Sequence, residues 1–344
     1  MDQRVATYAA KRALACAFIV WGIATLVFLM IKAIPGDEAQ SAAGITATPA
    51  QVEQVRHRLG LDHSLPVQYV DYLGRLAHGD LGTSIVSFRP VREELTERIP
   101  ASVELVGSAM LLDVLVGVPL GMLAAARFRR TTDNVVRWVA ILASAVPLFW
   151  LGLMLQSFVG LKLDLLPLSG SQTIGKESPR VTGMATVDAL LAGNLSGFGD
   201  AVAHLVLPAV TLSIPFIGFV SRITRSSIVG TLQSDFASVV RAKGASESRI
   251  VVRHALPNSL GPIVTFAALQ FGWMFSATVL VESIFGRPGV GSYLADSVTQ
   301  KDTFAVLGLV LFIGTVVAVA SAVADMIQLL VDPRIRAAQV GAPA

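Results

Sequence analysis

Six stretches of this chain are apolar for about as long as a bilayer is thick, and that restricts its fold more than any other feature. They run over Ala13–Ile34, Val103–Ala126, Val135–Leu161, Ala201–Val220, Pro262–Val281 and Phe304–Val331. A helix crossing the hydrocarbon layer needs roughly 20 mostly apolar residues. Several of these stretches are apolar on every face, which a core helix of a soluble domain is not. Charged residues make up 15% of the 344, against about 25% in soluble domains, and the mean hydropathy is +0.65. Strand-like alternation is too weak for a barrel. The sequence therefore predicts an all-α polytopic membrane protein with six transmembrane helices.

The basic residues set its orientation. With the N-terminus inside, the cytoplasmic segments carry Arg4, Lys11, Arg12, Arg127, Arg129, Arg130, Arg137, Arg222, Arg225, Arg241, Lys243, Arg249, Arg253, Arg334 and Arg336. The acids there are only Asp2, Asp133, Asp235, Glu247 and Asp332. Both termini are thus expected inside. The small positive net charge of +3 follows from topology and calls for no nucleic-acid partner. The first apolar stretch is longer than the hydrophobic region of a signal peptide and reads as an uncleaved span. The only cysteine, Cys16, lies within it, so no disulfide framework is possible.

Three regions are expected: residues 1–34 with the first span, an extracytoplasmic region 35–100, and a five-helix core 101–344. In the second, Pro49–Leu59 reads as a short helix with Thr48 as N-cap and Gly60 as terminator; Leu65–Leu81 suggests another. The loop after the third span, Leu161–Asp200, is also long and contains an apolar patch, Val187–Leu191, suited to the interface or to the bundle surface. Prolines at 119, 147, 208 and 215 fall inside spans, where they bend helices.

Between the fourth and fifth spans lies RAKGASESRIVVRHALP, Arg241–Pro257. A polar helix should end at Gly244, where a positive φ is available, restart behind Ser246 as cap, and stop at Leu256-Pro257. The elbow would present Arg241, Lys243, Glu247 and the Gly244 backbone as a rigid knob. Charge alone also allows a basic loop drawn to anionic lipid. The wider string DFASVVRAKGASESRIVVRHALPNSL, Asp235–Leu260, resembles the coupling loop of ABC importer permeases, in the variant found in dipeptide, oligopeptide and nickel permeases. Against the general importer pattern, Gly244 and Leu256-Pro257 match. Ser238-Val239-Val240 replaces its EAA triplet and His254 its isoleucine.

Other strings resemble the same family in the same order: LGLDHSLPVQYVDYLGRLAHGDLGTS (Leu59–Ser84), PLFWLGLMLQSF (Pro147–Phe158), LPLSG (Leu166–Gly170), TGMATVDALLAGN (Thr182–Asn194), HLVLPAVTLS (His204–Ser213), ESIFGRPGVG (Glu282–Gly291) and DPRIR (Asp332–Arg336). The long first loop resembles that of the B-type subunit. The resemblance implies a type I importer permease fold with a coupling loop at 222–258, in the bacterial cytoplasmic (inner) membrane. Asp235, Arg241, Ala242, Lys243, Gly244, Ala245, Ser246 and Glu247 would contact the ATPase. It further implies a homologous C-type permease, two cytoplasmic ATPase domains that bind ATP and Mg, and an extracytoplasmic solute-binding protein bearing on residues 35–100 and 283–303. The substrate would be a short peptide, or, alternatively, nickel or another small solute. An ion-coupled secondary transporter is the competing class.

No residue pattern points to catalysis in the chain itself. Gly170–Glu177 (GSQTIGKE) nearly spells a Walker A loop, but Glu177 stands where Mg²⁺ needs Ser or Thr. Gly286–Gly291 reads as a turn rather than a dinucleotide site. The histidines at 57, 63, 78, 204 and 254 lack paired metal-ligand spacing. Asp113, mid-span, is a functional candidate by default: it would line the path, pair with the second permease, or be protonated and structural. Gln156 and Gln270 are further polar candidates for the path, and Asp325 reads as a structural partner.

Overall fold

A computed structural model describes residues 3–33, 39–40, 47–58 and 60–331; Ile34, Leu59, Asp332–Arg336 and the other termini of the sequence expectations lie outside the described residues. Helix α1, Gln3–Ala33, is the first span. The external helices α2, Pro49–Arg58, and α3, Leu65–Ala77, follow. Then come α4, Val91–Ala126; a bent pair, α5, Thr131–Ala145, and α6, Leu148–Lys162; and the external α7, Ala185–Leu191. Helix α8, Leu195–Leu232, descends to the short α9, Asp235–Ala242, and α10, Glu247–Phe285, returns. Helices α11, Val290–Thr299, and α12, Thr303–Val331, complete the order. Among the described residues no β-strand forms; one isolated bridge joins Thr83 and Pro90.

Five helices are long and apolar enough to cross a membrane, and the α5–α6 pair makes a sixth span if taken as one. The sequence expectation of a single helix over Val135–Leu161 is corrected here, because α5 and α6 meet at 97°. Pro147 explains the break. The residue before a proline is pushed out of the helical region, and Val146 is extended at ψ 128°, while Pro147 opens α6 and accepts from Leu151 N–H at 3.0 Å. The spans expose apolar side chains such as Phe18, Leu29, Leu115, Trp138 and Leu142, as lipid-facing helices do.

Other prolines are absorbed differently. A proline inside a helix clashes with the carbonyl four residues earlier and removes one bond. Just before Pro119, residues Asp113–Gly117 form a π-helical turn; just before Pro257, Val251–Ala255 form another. The wider turn spreads the carbonyls that the ring would strike, Leu115 and Arg253, and the helix runs on. The expected stop at Leu256-Pro257 is therefore absent: α10 is 39 residues long and unbroken from the elbow to Phe285. At 1.5 Å per residue it measures about 58 Å, well beyond the hydrocarbon layer.

The main core lies between α4, α8, α10, α11 and α12, with Leu105, Val106, Ala109, Leu212, Met274, Phe275, Phe285, Val290 and Leu309 nearly or fully buried. Close approach is possible because residues at the contacts are small. A Cβ on Gly121 of α4 would sit 2.6 Å from the Ser221 carbonyl of α8, the small-residue packing that lets helices associate in lipid. Helix α1 packs outside this core on α12 and α3, through Ala24, Val27, Leu307 and Leu311. Thr25 and Tyr69 hydroxyls pair at 2.6 Å, Lys32 donates to Gln68 at 2.6 Å, and Arg12 meets Asp325 at 3.1 Å. Asp325 thus has an intramolecular partner.

The outer segments are pinned by caps. Thr48 and Gln51 exchange bonds at the start of α2, as a cap requires. Helix α3 stops at Ala77 rather than Leu81, because Gly79 turns at φ +78° and Asp80 N–H bonds back to the Arg75 carbonyl. In α7 the apolar patch divides: Ala189 is buried against the bundle, whereas Leu190 and Leu191 are exposed.

Candidate functional site

The elbow has the expected backbone with one different cap. Helix α9 begins with Asp235, whose carboxylate suits the positive end of a helix, and ends with Arg241 at its negative end. Lys243 and Gly244 close it through N–H bonds to the Val239 and Arg241 carbonyls at 3.2 and 3.0 Å. Gly244 turns at φ +82°, and a Cβ added there would meet nothing within 4 Å, so the constraint is conformational rather than steric. Ser246 occupies the N-cap position at ψ 149°, but its hydroxyl makes no capping bond and instead meets Ser248 at 3.4 Å. The restart is held by Arg241, which spans the elbow and donates to both Glu247 oxygens at 2.6 and 3.3 Å. That hydrogen bond raises the Arg241 guanidinium above its ordinary pKa. Arg241, Ala242, Lys243, Gly244, Ser246 and Glu247 are exposed and Ala245 is half-buried, so these seven candidates form one projection, while Asp235, also exposed, stands at the other end of α9.

Behind the projection stands a packed base. Ala125 of α4, Ile228 of α8, and Val251 and Ala255 of α10 are buried together, with Met122, Leu232 and Leu256 against them. Beside it Arg225 of α8 grips Asp133 at the start of α5 with bonds of 2.5 and 2.8 Å, and Arg129 N–H adds a third at 2.9 Å. Asp133 is 1% exposed. In the sequence these were topology charges only; their separation by nearly a hundred residues left no local signal of the pairing.

Two of the three polar pathway candidates face each other. The Gln270 amide of α10 donates to Asp113 Oδ2 in the π-turn of α4, and both residues are 1% exposed. Asp113 Oδ1 and Gln270 Oε1 find no partner among the described residues. Gln156 lies apart on α6, donating to the Leu168 and Ile284 carbonyls at 2.8 and 3.3 Å, which fastens the outer turn to α10. Removing the amide leaves the buried Asp113 carboxyl without its partner, which costs about 1–3 kcal/mol. Gln270→Leu is accordingly expected to lower the thermal midpoint of the detergent-purified protein further than Asp113→Asn, which keeps an acceptor for the amide. Equal midpoints would contradict the pairing.

At the opposite end of α10 is a second cluster that sequence reading missed. Glu282, fully buried, accepts from Ser102 Oγ at 2.6 Å and from the Gly291 and Ser292 N–H groups at 2.7 and 3.2 Å, thereby capping α11. The Gly286–Gly291 turn, as expected, links two helices, with Gly289 at the N-cap of α11 and Glu282 filling the space a Cβ there would need. Arg287 donates to Glu104 of α4 at 2.8 Å, and Glu104 also accepts from Thr186 N–H and Oγ1 at 2.8 and 2.6 Å. Nearby, burial tends to raise the Asp188 carboxyl, but bonds from Thr182 and Gly183 outweigh it and hold the group below its usual value. The sequence signal was available: charged residues at span ends inside a motif of glycines.

In the Walker-like segment the Gly175 N–H is taken by Glu177 at 2.7 Å, and Thr173 and Lys176 are bound to Asp200. These three residues serve to close the loop.

Comparison with known proteins places these features in a family. The model of the inner membrane component of binding-protein-dependent transport systems matches residues 117–337, and that of the N-terminal part of such components matches residues 5–106. The probable D,D-dipeptide transport system permease protein of Escherichia coli K12 is 40% identical over 92% of this chain and 94% of its own length. The di/tripeptide transport system permease protein of Pseudomonas aeruginosa is 36% identical, with the same coverage. The glutathione transport system permease protein of Salmonella choleraesuis is 33% identical over 96% and 98%. These matches agree with the helical permease architecture, and the chain belongs to the multi-pass inner-membrane components of binding-protein-dependent transport systems.

Proposed function

We propose that the chain is the non-catalytic permease subunit of an ATP-driven importer for short peptides. It would form the translocation path with a homologous permease, receive peptide from an external binding protein, and be moved by two ATPase domains seated on residues 235–247. ATP and Mg belong to those ATPases. The peptide class rests on similarity to permeases named for dipeptides, di/tripeptides and glutathione, which favours it over nickel. Residues 35–100 and 283–303, on the outer side, are the proposed contacts for the binding protein, and 101–344 the moving core.

One observation carries the mechanism: the elbow and the outer cluster lie at the two ends of one unbroken helix, α10. A push on the Arg241–Glu247 staple bears directly on the base of α10, where Val251 and Ala255 grip α4 and α8. At the far end the same helix holds the α4–α11 junction through Glu282 and its neighbour Arg287. Closure of the ATPases would therefore tilt α10 as a lever and alter the outer opening with no local melting in between. Motion of rigid packed elements between two arrangements is the physical basis of such coupling.

Uptake of labelled dialanine into membrane vesicles holding the full complex separates this from an ion-coupled transporter. With internal ATP and external binding protein, uptake is expected and should survive an ionophore. Uptake driven by a proton gradient in nucleotide-free vesicles would overturn the proposal.

A further inference from the structure

The long outer loop after α6 builds a pocket of about 330 Å³ with the outer turns of α4, with α7 and with the α10–α11 turn. That is the low end of the size range for small-molecule sites. Its wall contains the carboxylates of Glu97, Glu104 and Asp188 and the guanidinium groups of Arg98, Arg180 and Arg287. The acceptors are already committed. Glu104 uses both oxygens on Arg287 and Thr186, Asp188 uses both on Thr182 and Gly183, and Glu97 is held by Arg89 at 2.6 and 3.2 Å.

Donors are left over. Arg287 is 1% exposed, and only its Nη2 is used; Nε and Nη1 have no partner among the described residues. Gln172 Nε2, on the loop, is likewise buried and unpartnered, and lines the same pocket. Buried N–H groups of this kind are costly unless an acceptor reaches them. A role for Arg287 as counter-ion to Glu104 accounts for one nitrogen and leaves the other two, and Gln172, unexplained.

We propose that this pocket is a carboxylate subsite on the outer face, in which Arg287 Nε and Nη1 and Gln172 Nε2 take the C-terminal carboxylate of a short peptide; the peptide source rests on the proposed function. With carboxylates and guanidinium groups equal in number the wall has no excess positive charge to hold a dianion such as phosphate, while the free donors of Arg287 and Gln172 suit a single carboxylate. Size argues for a small solute over a segment of the binding protein. The pocket also gives the long outer loop a reason to exist, since the loop supplies Gln172 and closes one side.

The test is calorimetric titration of the full-length chain in lipid nanodiscs with dialanine, dialanine amide, acetate and inorganic phosphate. Dialanine is expected to bind at least about tenfold more tightly than its amide, because charge-assisted bonds are lost in the amide. Gln172→Leu, which leaves the Arg287–Glu104 pair intact, should weaken dialanine severalfold at an unchanged thermal midpoint and leave the amide unaffected. Equal affinity for dialanine and its amide, tighter binding of phosphate, binding of acetate without dialanine, or no binding at all would each overturn the proposal. ATP-driven dialanine uptake, measured alongside, separates the two readings. Uptake with unselective binding sinks the subsite and spares the importer, whereas selective binding without uptake in the full complex sinks the importer and spares the carboxylate site.

Discussion

Gly244→Pro is expected to reduce binding-protein-stimulated ATP turnover and peptide uptake at least about tenfold in the reconstituted complex. The native φ is +82°, and proline is fixed near −65° and has no N–H. The substitution therefore removes the bond from Gly244 N–H to the Arg241 carbonyl and turns the chain the wrong way between α9 and α10. Forced conformations of this kind cost about 1–3 kcal/mol, and each 1.4 kcal/mol is tenfold in an equilibrium. The Arg241–Glu247 staple cannot form across a misdirected turn. Gly244→Asn, which tolerates positive φ, should retain most of the activity. Because a side chain at 244 would meet nothing within 4 Å of its Cβ, the damage should stay local to the elbow, and the spans should fold and assemble in both variants. Full uptake with Gly244→Pro would remove the elbow from the mechanism.

The second large effect is on stability. Arg225→Met leaves Asp133, 1% exposed, without its bidentate partner. Removing one member of a buried ion pair costs about 3–5 kcal/mol, whereas replacing both by apolar residues can be nearly neutral. The low end applies here, because Arg225 is 19% exposed and Asp133 keeps the Arg129 N–H bond. Arg225→Met alone should therefore sharply lower the thermal midpoint in detergent, and the double variant Arg225→Met/Asp133→Leu should recover most of the loss. A single variant as stable as the parent would show that the pair does not hold α5 to α8. The pair lies beside the base of the elbow, so the destabilised variant should also lose coupling before it loses assembly.

Much of the architecture was legible because lipid imposes one requirement on all spans. Apolar length located the five long helices. The α5–α6 break was harder to read: Pro147 looks like Pro119 or Pro257 in sequence. The difference lies in the preceding turn, which widens to a π-turn before Pro119 and Pro257 but is extended at Val146. Hydropathy does not register which of the two a proline receives, because that depends on how neighbouring helices satisfy the freed carbonyl. The elbow was legible since its polar string, its glycine and its acidic restart are consecutive. Ser246 was misjudged as a side-chain cap, because the Arg241–Glu247 pair six residues apart already ties the restart to α9. The pairing within the outer cluster was illegible for a different reason, although its charged residues stood out in the sequence. Ser102, Glu104, Thr186, Glu282 and Arg287 come from three distant segments, and only packing makes partners of them.

Seating of the elbow on an ATPase is most directly tested by a photoactivatable crosslinker attached at residue 243. Cys16 is the only cysteine, so a Cys16→Ser/Lys243→Cys chain carries the label at one place. In the full complex, illumination should join this chain to an ATPase subunit in high yield and stop both ATP turnover and peptide uptake. A label that reaches only lipid, in a complex that continues to transport after illumination, would contradict the account.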